Sequence, residues 1–334
     1  MVIILYNITL DTGTTNTRVT LWKNQEVIDK VSREIGVRNT AIDGNNFKLK
    51  NAVKEAISEI LDNNNLKLDE VNKIIASGMI TSNVGLIEVP HLRAPAGIED
   101  LAEGMVEHCI PDVVNKEIWF VPGVKNSVNE VTLENCEAMD IMRGEEVETI
   151  GLLERLNAKG PVLVILPGSH SKFVSVDRKG KITGCLTSLS GELISVITNN
   201  TIIASSLKHS LASEFNRKMV LEGYKNGEKT GLNRTIFLVR ILDQFTNLSI
   251  NDKANFLLGA VLSADLKAIK NSHALEVSSE SNVIVAGKDI LKQSFKAIIE
   301  EDGYFKNIEV VNSKQLDSLA GFGALCIAKK RGLI

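Results

Sequence analysis

A chain of 334 residues with a net charge of −3 is too long for one small core, so two units of about 150 residues each are expected. No basic stripe is present, which argues against a nucleic-acid partner. Apolar residues make up 44% and charged residues 24%, and no basic leader or apolar run of about 18 residues occurs, so a cytoplasmic protein with no membrane span is predicted. The four cysteines (Cys109, Cys136, Cys185, Cys326) lie far apart without a C-x-x-C pair, and the five histidines show no metal-ligand spacing.

In chain order, the apolar pattern predicts strands over 2–10, 17–22 and 26–33, then a helix over 51–61. That helix carries Val53, Ala56, Ile57, Ile60 and Leu61 on one face. A strand at Ile74–Ser77, a helix over 98–109, a strand at Ile118–Val121 and a helix over 145–156 follow. The second half starts again with strands at Val162–Leu166, Phe173–Val176 and Ile182–Leu186, the last two joined by the turn Asp177–Gly180. A helix from 190, a helical insertion over 213–270, a strand at Val283–Ala286, a helix from 288, a strand at Ile308–Val311 and a helix from 316 complete it. Both halves read βββαβαβα. The expected layout is a first domain over 1–140, a linking helix over 141–156 and a second domain over 157–334.

The first hairpin turn is Asp11-Thr-Gly-Thr-Thr-Asn-Thr-Arg18, one carboxylate at a strand end followed by glycine and small hydroxyl residues. Gly13 lets the backbone bend, and Thr14, Thr15 and Asn16 offer donors in a concave nest suited to phosphate oxygens. Asp11 can hold the Mg²⁺ that accompanies a nucleotide. The turn ends in a strand, so it is neither a P-loop nor a dinucleotide fingerprint. The second half has its own counterpart, Pro167-Gly-Ser-His-Ser-Lys172. Two such turns facing one cleft are a sharper signal than either alone.

The chain resembles the actin-like ATPase superfamily, in which two ribonuclease-H-like domains clamp a nucleotide. Within it, the chain is similar to the 2-dehydro-3-deoxygalactonokinase family. The likeness rests on the first turn together with Gly78–Gly85, Pro90–Pro95, Met142–Glu146, Leu166–Lys172 and Ser190–Leu193, and covers about residues 8 to 330. The chain departs from the family pattern at Thr12, Leu86, His91 and Ser190. The resemblance implies an α/β fold of two such domains, ATP and Mg²⁺ as cofactors, and a small-molecule sugar acid as substrate. It implies phosphorylation of the terminal (6-) hydroxyl of 2-dehydro-3-deoxy-D-galactonate. A kinase for another sugar or sugar acid, and a nucleotide-binding switch protein, are the alternatives. The sequence leaves a homodimer open.

Phosphoryl transfer needs donors for the phosphates, a cation, and a base for the attacking hydroxyl. Gly13, Thr14, Thr15, Asn16, Gly168 and Ser169 supply the donors. Arg18 can reach a phosphate with its fork, though a solvated strand arginine also fits. Lys172 has the same two readings, and His170 fits a hairpin-tying hydrogen bond better than a catalytic part. The base is expected at the start of the linking helix, where Glu145 and Asp140 both qualify and stay unseparated; Glu145 and Glu146 also complement a helix N-terminus. Arg143 is the expected carboxylate recogniser, with Thr81, Ser82 and Asn83 for sugar hydroxyls. The resemblance puts the adenine at Gly287. The small-residue segment from Gly321 is expected to be structural, for close packing.

Overall fold

The computed structural model describes residues 6–334; Val2–Leu5, the predicted start of the first strand, lies outside the described residues. In the first half the strands are β1 (Tyr6–Thr12), β2 (Thr17–Lys23), β3 (Glu26–Arg33), β4 (Val71–Gly78), β5 (Leu92–Arg93), β6 (Val106–Ile110), β7 (Val114–Phe120), β8 (Val124–Lys125) and β9 (Ile141–Met142). Six of them form one sheet in the order β3-β2-β1-β4-β7-β6, and β5, β8 and β9 form a small second one. The second half holds β10 (Val162–Leu166), β11 (Ser171–Val176), β12 (Ile182–Ser188), β13 (Asn282–Val285) and β14 (Ile308–Val310), ordered β12-β11-β10-β13-β14. The first five strands of the six-stranded order and the five of the other follow one plan. Each has an antiparallel meander of three strands, then two strands parallel to its first.

The helix predicted over 98–109 stops at Glu103, and Val106–Ile110 forms an antiparallel edge strand on β7 instead. Four of its five residues are exposed, so it lacked the buried alternation that marks a strand. The predicted helix over 51–61 runs from Phe47 to Asn63 and buries its apolar stripe under the first sheet.

The helices Glu145–Leu156 and Leu319–Lys330 lie between the two sheets, in a core shared with Trp22 and Ile75 of one sheet and Val164 and Val174 of the other. They approach too closely for side chains at the crossing. A Cβ on Gly323 would lie 2.0 Å from the Val147 carbonyl oxygen, and one on Gly321 would lie 2.6 Å from Thr9 Oγ1. The structural role expected for this segment follows from those contacts. Helices Arg217–Thr230, Leu232–Phe245 and Ile250–Asn271 pack on the far side of the second sheet, around a separate apolar cluster.

Candidate active site

Asp11 is the next-to-last residue of β1, and its side chain shares a face of the sheet with Arg18 across the hairpin. Arg18 Nη1 donates to Asp11 Oδ2 at 2.9 Å. In the turn, the Gly13 and Thr14 carbonyls accept from the N–H groups of Val37 and Arg38, at 3.2 and 2.9 Å, at the start of the helix Val37–Asp43. Among the described residues, no hydrogen bond engages the backbone N–H groups of Thr14, Thr15 or Asn16. The second turn repeats this. The Ser169 carbonyl accepts from Glu192 N–H at 2.9 Å, at the start of the helix Ser190–Asn200, and among the described residues no hydrogen bond engages the N–H groups of Ser169 and His170. In both turns a carbonyl is tied back to a following helix and donors remain for an anion.

A cavity of about 600 Å³ is lined by Asp11 and Arg18, at the two ends of the first turn, and by Leu166, Pro167 and Gly287 from the other half, whereas the turn residues 13–16 and 168–170 do not themselves line it. Gly287 has a φ of +121°, and a Cβ there would lie 3.1 Å from Pro167 Cδ, so the backbone alone fits this wall. Glu148 also lines the cavity. Burial and the neighbouring Asp11 and Glu145 carboxylates push Glu148 up to about 8. Burial likewise raises Asp11, against the pull of Arg18. Sequence reasoning missed Glu148; its spacing of three from Glu145, one helix turn along the same face, was the available signal.

The helix carrying these acids begins at Gly144, held at a φ of +109°, and a Cβ there would lie 3.3 Å from Gly78 Cα at the end of β4. Glu146 is buried, and both its oxygens accept the Gly144 N–H at 2.9 Å. Burial and then Glu145 raise it to about 8. Glu145 is only part-buried and accepts the Arg143 N–H at 3.2 Å; burial raises it and Lys172 is the main opposing charge.

Asp140 is fully engaged. Its Oδ2 accepts from Thr187 N at 2.5 Å, and its Oδ1 accepts from Thr187 Oγ1 at 2.9 Å and Ile141 N at 2.6 Å. Lys172 is buried and spends its ammonium on the Ile141 carbonyl at 2.8 Å and on Thr187 Oγ1, away from the cavity lining. His170 Nε2 meets Glu192 Oε2 at 2.9 Å on the surface.

Arg143, Thr81, Ser82, Asn83 and Glu145 do not line this cavity. Arg143 Nη1 donates to Thr81 Oγ1 at 2.7 Å, and Nη2 donates to the Val89 carbonyl at 2.6 Å and to His91 Nδ1 at 3.3 Å. Arginine has no acceptor, so His91 Nδ1 carries the lone pair and the proton sits on Nε2. Burial, then Arg143, lowers His91 to about 4 and keeps it neutral. Thr81 and Ser82 are buried and bond the carbonyls of Gly78 and Met79, whereas Asn83 is exposed. Arg143 thus has both Nη2 hydrogens committed, and stands as a fixed positive charge rather than an open fork.

Two sheets of one plan, with phosphate-type turns beside one cavity and an acidic helix start at their seam, define a phosphotransferase of the actin-like ATPase fold. The family model described as 2-keto-3-deoxy-galactonokinase matches residues 11–320, and the chain belongs to that family; it is a sugar acid kinase. The 2-dehydro-3-deoxygalactonokinase of Escherichia coli K12 is 25% identical over 300 residues, covering 87% of this chain and 89% of that one. A crystal structure from Sinorhizobium meliloti, whose 2-dehydro-3-deoxygalactonokinase assignment is provisional, superposes with a TM-score of 0.74 at 21% identity, over 97% of this chain and 98% of its own. Component A of the (R)-2-hydroxyglutaryl-CoA dehydratase of Acidaminococcus fermentans shares the fold at a TM-score of 0.51 and 12% identity, over 98% and 99% of the chains.

Proposed function

We propose that this kinase transfers the γ-phosphoryl group of ATP to the terminal (6-) hydroxyl of 2-dehydro-3-deoxy-D-galactonate. The observation that carries this reading is the pair of turns with their carbonyls tied back and, among the described residues, N–H groups without partners, whose chain neighbours Asp11, Arg18 and Pro167 line one cavity. In the reading, those N–H groups hold phosphate oxygens and Arg18 leaves Asp11 to pair with phosphate. The adenosine end lies along Gly287, where a side chain would crowd Pro167.

The donor set suits a hard divalent cation. Asp11 and Glu148 are carboxylates raised by burial, and Glu148 also by Asp11 itself, a repulsion that a cation relieves. No three His, Cys, Asp or Glu side chains converge among the described residues, which fits Mg²⁺ held by one or two carboxylates, phosphate oxygens and water. When bound, Mg²⁺ supplies charge neutralisation at the phosphates; Asp11 is the residue that would hold it.

Glu145 is the proposed base. It is part-exposed and its raised affinity for protons suits an acceptor, whereas both oxygens of Asp140 are occupied and Glu146 is buried. The sugar hydroxyl gives its proton to Glu145 as its oxygen bonds the γ-phosphorus, and the bond to the β-phosphate oxygen breaks to release ADP. Arg143 opposes the substrate carboxylate as a fixed positive charge, and Thr81, Ser82 and Asn83 form the adjoining wall. The setting proposed is the cytoplasm. In support, all four cysteines are unpaired and, among the described residues, no helix is long and apolar enough to cross a membrane.

A coupled ADP-release assay over a panel of 2-keto-3-deoxy sugar acids and neutral sugars tests this. The expected result is turnover that is fastest with 2-dehydro-3-deoxy-D-galactonate. No turnover with any 2-keto-3-deoxy sugar acid would overturn it.

A further inference from the structure

At one end of the small sheet β5-β8-β9, three residues stand in a row. β5 runs parallel to β8 with Leu92 beside Val124, and β9 runs antiparallel to β8 with Met142 beside Val124. One residue further out, the same register sets His91, Gly123 and Arg143 side by side, and Leu92 N–H holds the Gly123 carbonyl at 2.9 Å. His91 and Arg143 are therefore two strands apart, roughly 10 Å between backbones, and the residue between them has no side chain. A Cβ on Gly123 would lie 2.8 Å from both His91 Cδ2 and Arg143 Cγ, so the imidazole and the arginine stem meet across the space it would fill.

The contact made over this glycine helps to fix the guanidinium. Of the two hydrogens on Arg143 Nη2, one goes to the Val89 carbonyl at 2.6 Å and the other to His91 Nδ1 at 3.3 Å, while Nη1 gives one to Thr81 Oγ1 at 2.7 Å. Three acceptors around one planar group set both its place and its tilt. Thr81 and Val89 come from the segment after β4, and His91 alone of the three is carried by the small sheet. The imidazole serves at a cost. With its lone pair on Nδ1, the proton sits on Nε2, which is buried without a partner among the described residues. A ring that leaves a buried N–H unpaired is destabilising unless its other nitrogen is needed.

We propose that His91 is a positioning residue for the sugar acid, accepting from Arg143 across Gly123 and so fixing the positive charge that the substrate carboxylate meets. The inference rests on the reading that Arg143 opposes that carboxylate. The strands β5, β8 and β9 are each two residues long, and the row gives this small sheet a part in substrate binding.

The test measures kcat, KM for the sugar acid and KM for ATP in the ADP-release assay, using R143A, H91F, H91N and R143A/H91F in the full chain. R143A comes first: an unchanged KM for the sugar acid would remove the reading itself, and this inference with it. H91F keeps a flat ring but no acceptor, and is expected to raise KM for the sugar acid about fivefold, with kcat and KM for ATP within about twofold. H91N puts an amide oxygen where Nδ1 lies, so it should return KM to within about twofold of wild type. The double variant should exceed R143A by less than about twofold, because no guanidinium is left to position. If H91F does not fold, H91A takes its place in the same comparison. Where R143A does raise KM, three results would each overturn the inference: an H91F KM equal to wild type, an H91N loss as large as that of H91F, or equal losses for both substrates.

Discussion

Asn126 welds the two halves together, and replacing it measures that weld. Its side chain is buried; Nδ2 faces the carbonyls of Ala138, Cys185 and Ala274 at 3.0, 2.9 and 3.2 Å, and Oδ1 accepts Cys185 N–H at 2.8 Å. One amide therefore serves the linker, β12 and the segment after the long insertion helix. Asn126→Ala orphans a buried N–H, at about 1–3 kcal/mol, and removes two donated hydrogens at about 1 kcal/mol each, so a loss of about 3–5 kcal/mol is expected. Asn126→Asp keeps the acceptor but turns a carboxylate oxygen toward three carbonyls. Its folded-state proton affinity must rise, because only the protonated form can donate there. The unfolded carboxyl ionises near pH 4, so the penalty is smallest below that and grows as pH rises toward the higher folded value. Urea unfolding at pH 5 and pH 8 reads both. Asn126→Asp should be less stable than Asn126→Ala at pH 8 and close part of the gap at pH 5. An Asn126→Ala loss under about 1 kcal/mol, or a flat pH response of the acid, would refute the reasoning.

Four further outcomes are expected. Glu145→Gln should cut kcat by about 10²–10⁴ with little change in either KM, as read in the ADP-release assay. Arg143→Ala should raise KM for the sugar acid about 10- to 100-fold and spare KM for ATP, with Arg143→Lys recovering part of the loss because a point charge remains. Gly144→Ala forces a φ of +109° on a residue with a Cβ and should cost about 1–3 kcal/mol in urea unfolding, along with activity. His91 is lowered from 6.5 to about 4 in the folded chain, so the unfolded chain takes its proton first and stability should fall as pH drops from 6.5 toward 4. His91→Gln should flatten that part of the stability curve; an unchanged slope would count against the half-buried neutral imidazole.

What the sequence disclosed and what it withheld divide along contact range. The two turns were readable because a glycine, hydroxyls and a strand end sit within a few residues of each other. The helix Phe47–Asn63 was readable from its stripe of buried residues at a spacing near 3.6. The edge strand Val106–Ile110 was not, because an exposed strand has no buried face to imprint a period of two. Lys172 looked like a phosphate ligand from its place in a turn motif. Its direction is set by Ile141 and Thr187, which only the fold brings alongside. Glu148 was passed over because the group that perturbs it most after burial, Asp11, is remote in the chain.

The short segment before the linking helix explains why the acid sits where it does. Asp140 is bonded to Thr187, and Lys172 to the Ile141 carbonyl, so this end is tied to the five-stranded sheet. Arg143 is bonded to Thr81, Val89 and His91, so the next few residues belong to the first half. The stretch Asp140–Arg143 is thus stitched to both halves, one residue ahead of Glu145. If one half rotates on the other, a stretch held by both is expected to move little. In the proposed reading, a base placed there would keep its distance to a hydroxyl held by the first half as the phosphate turns close. A base on either sheet would instead swing with its own half. On that reading, the place of the acid reflects the mechanics of a closing cleft as much as its chemistry.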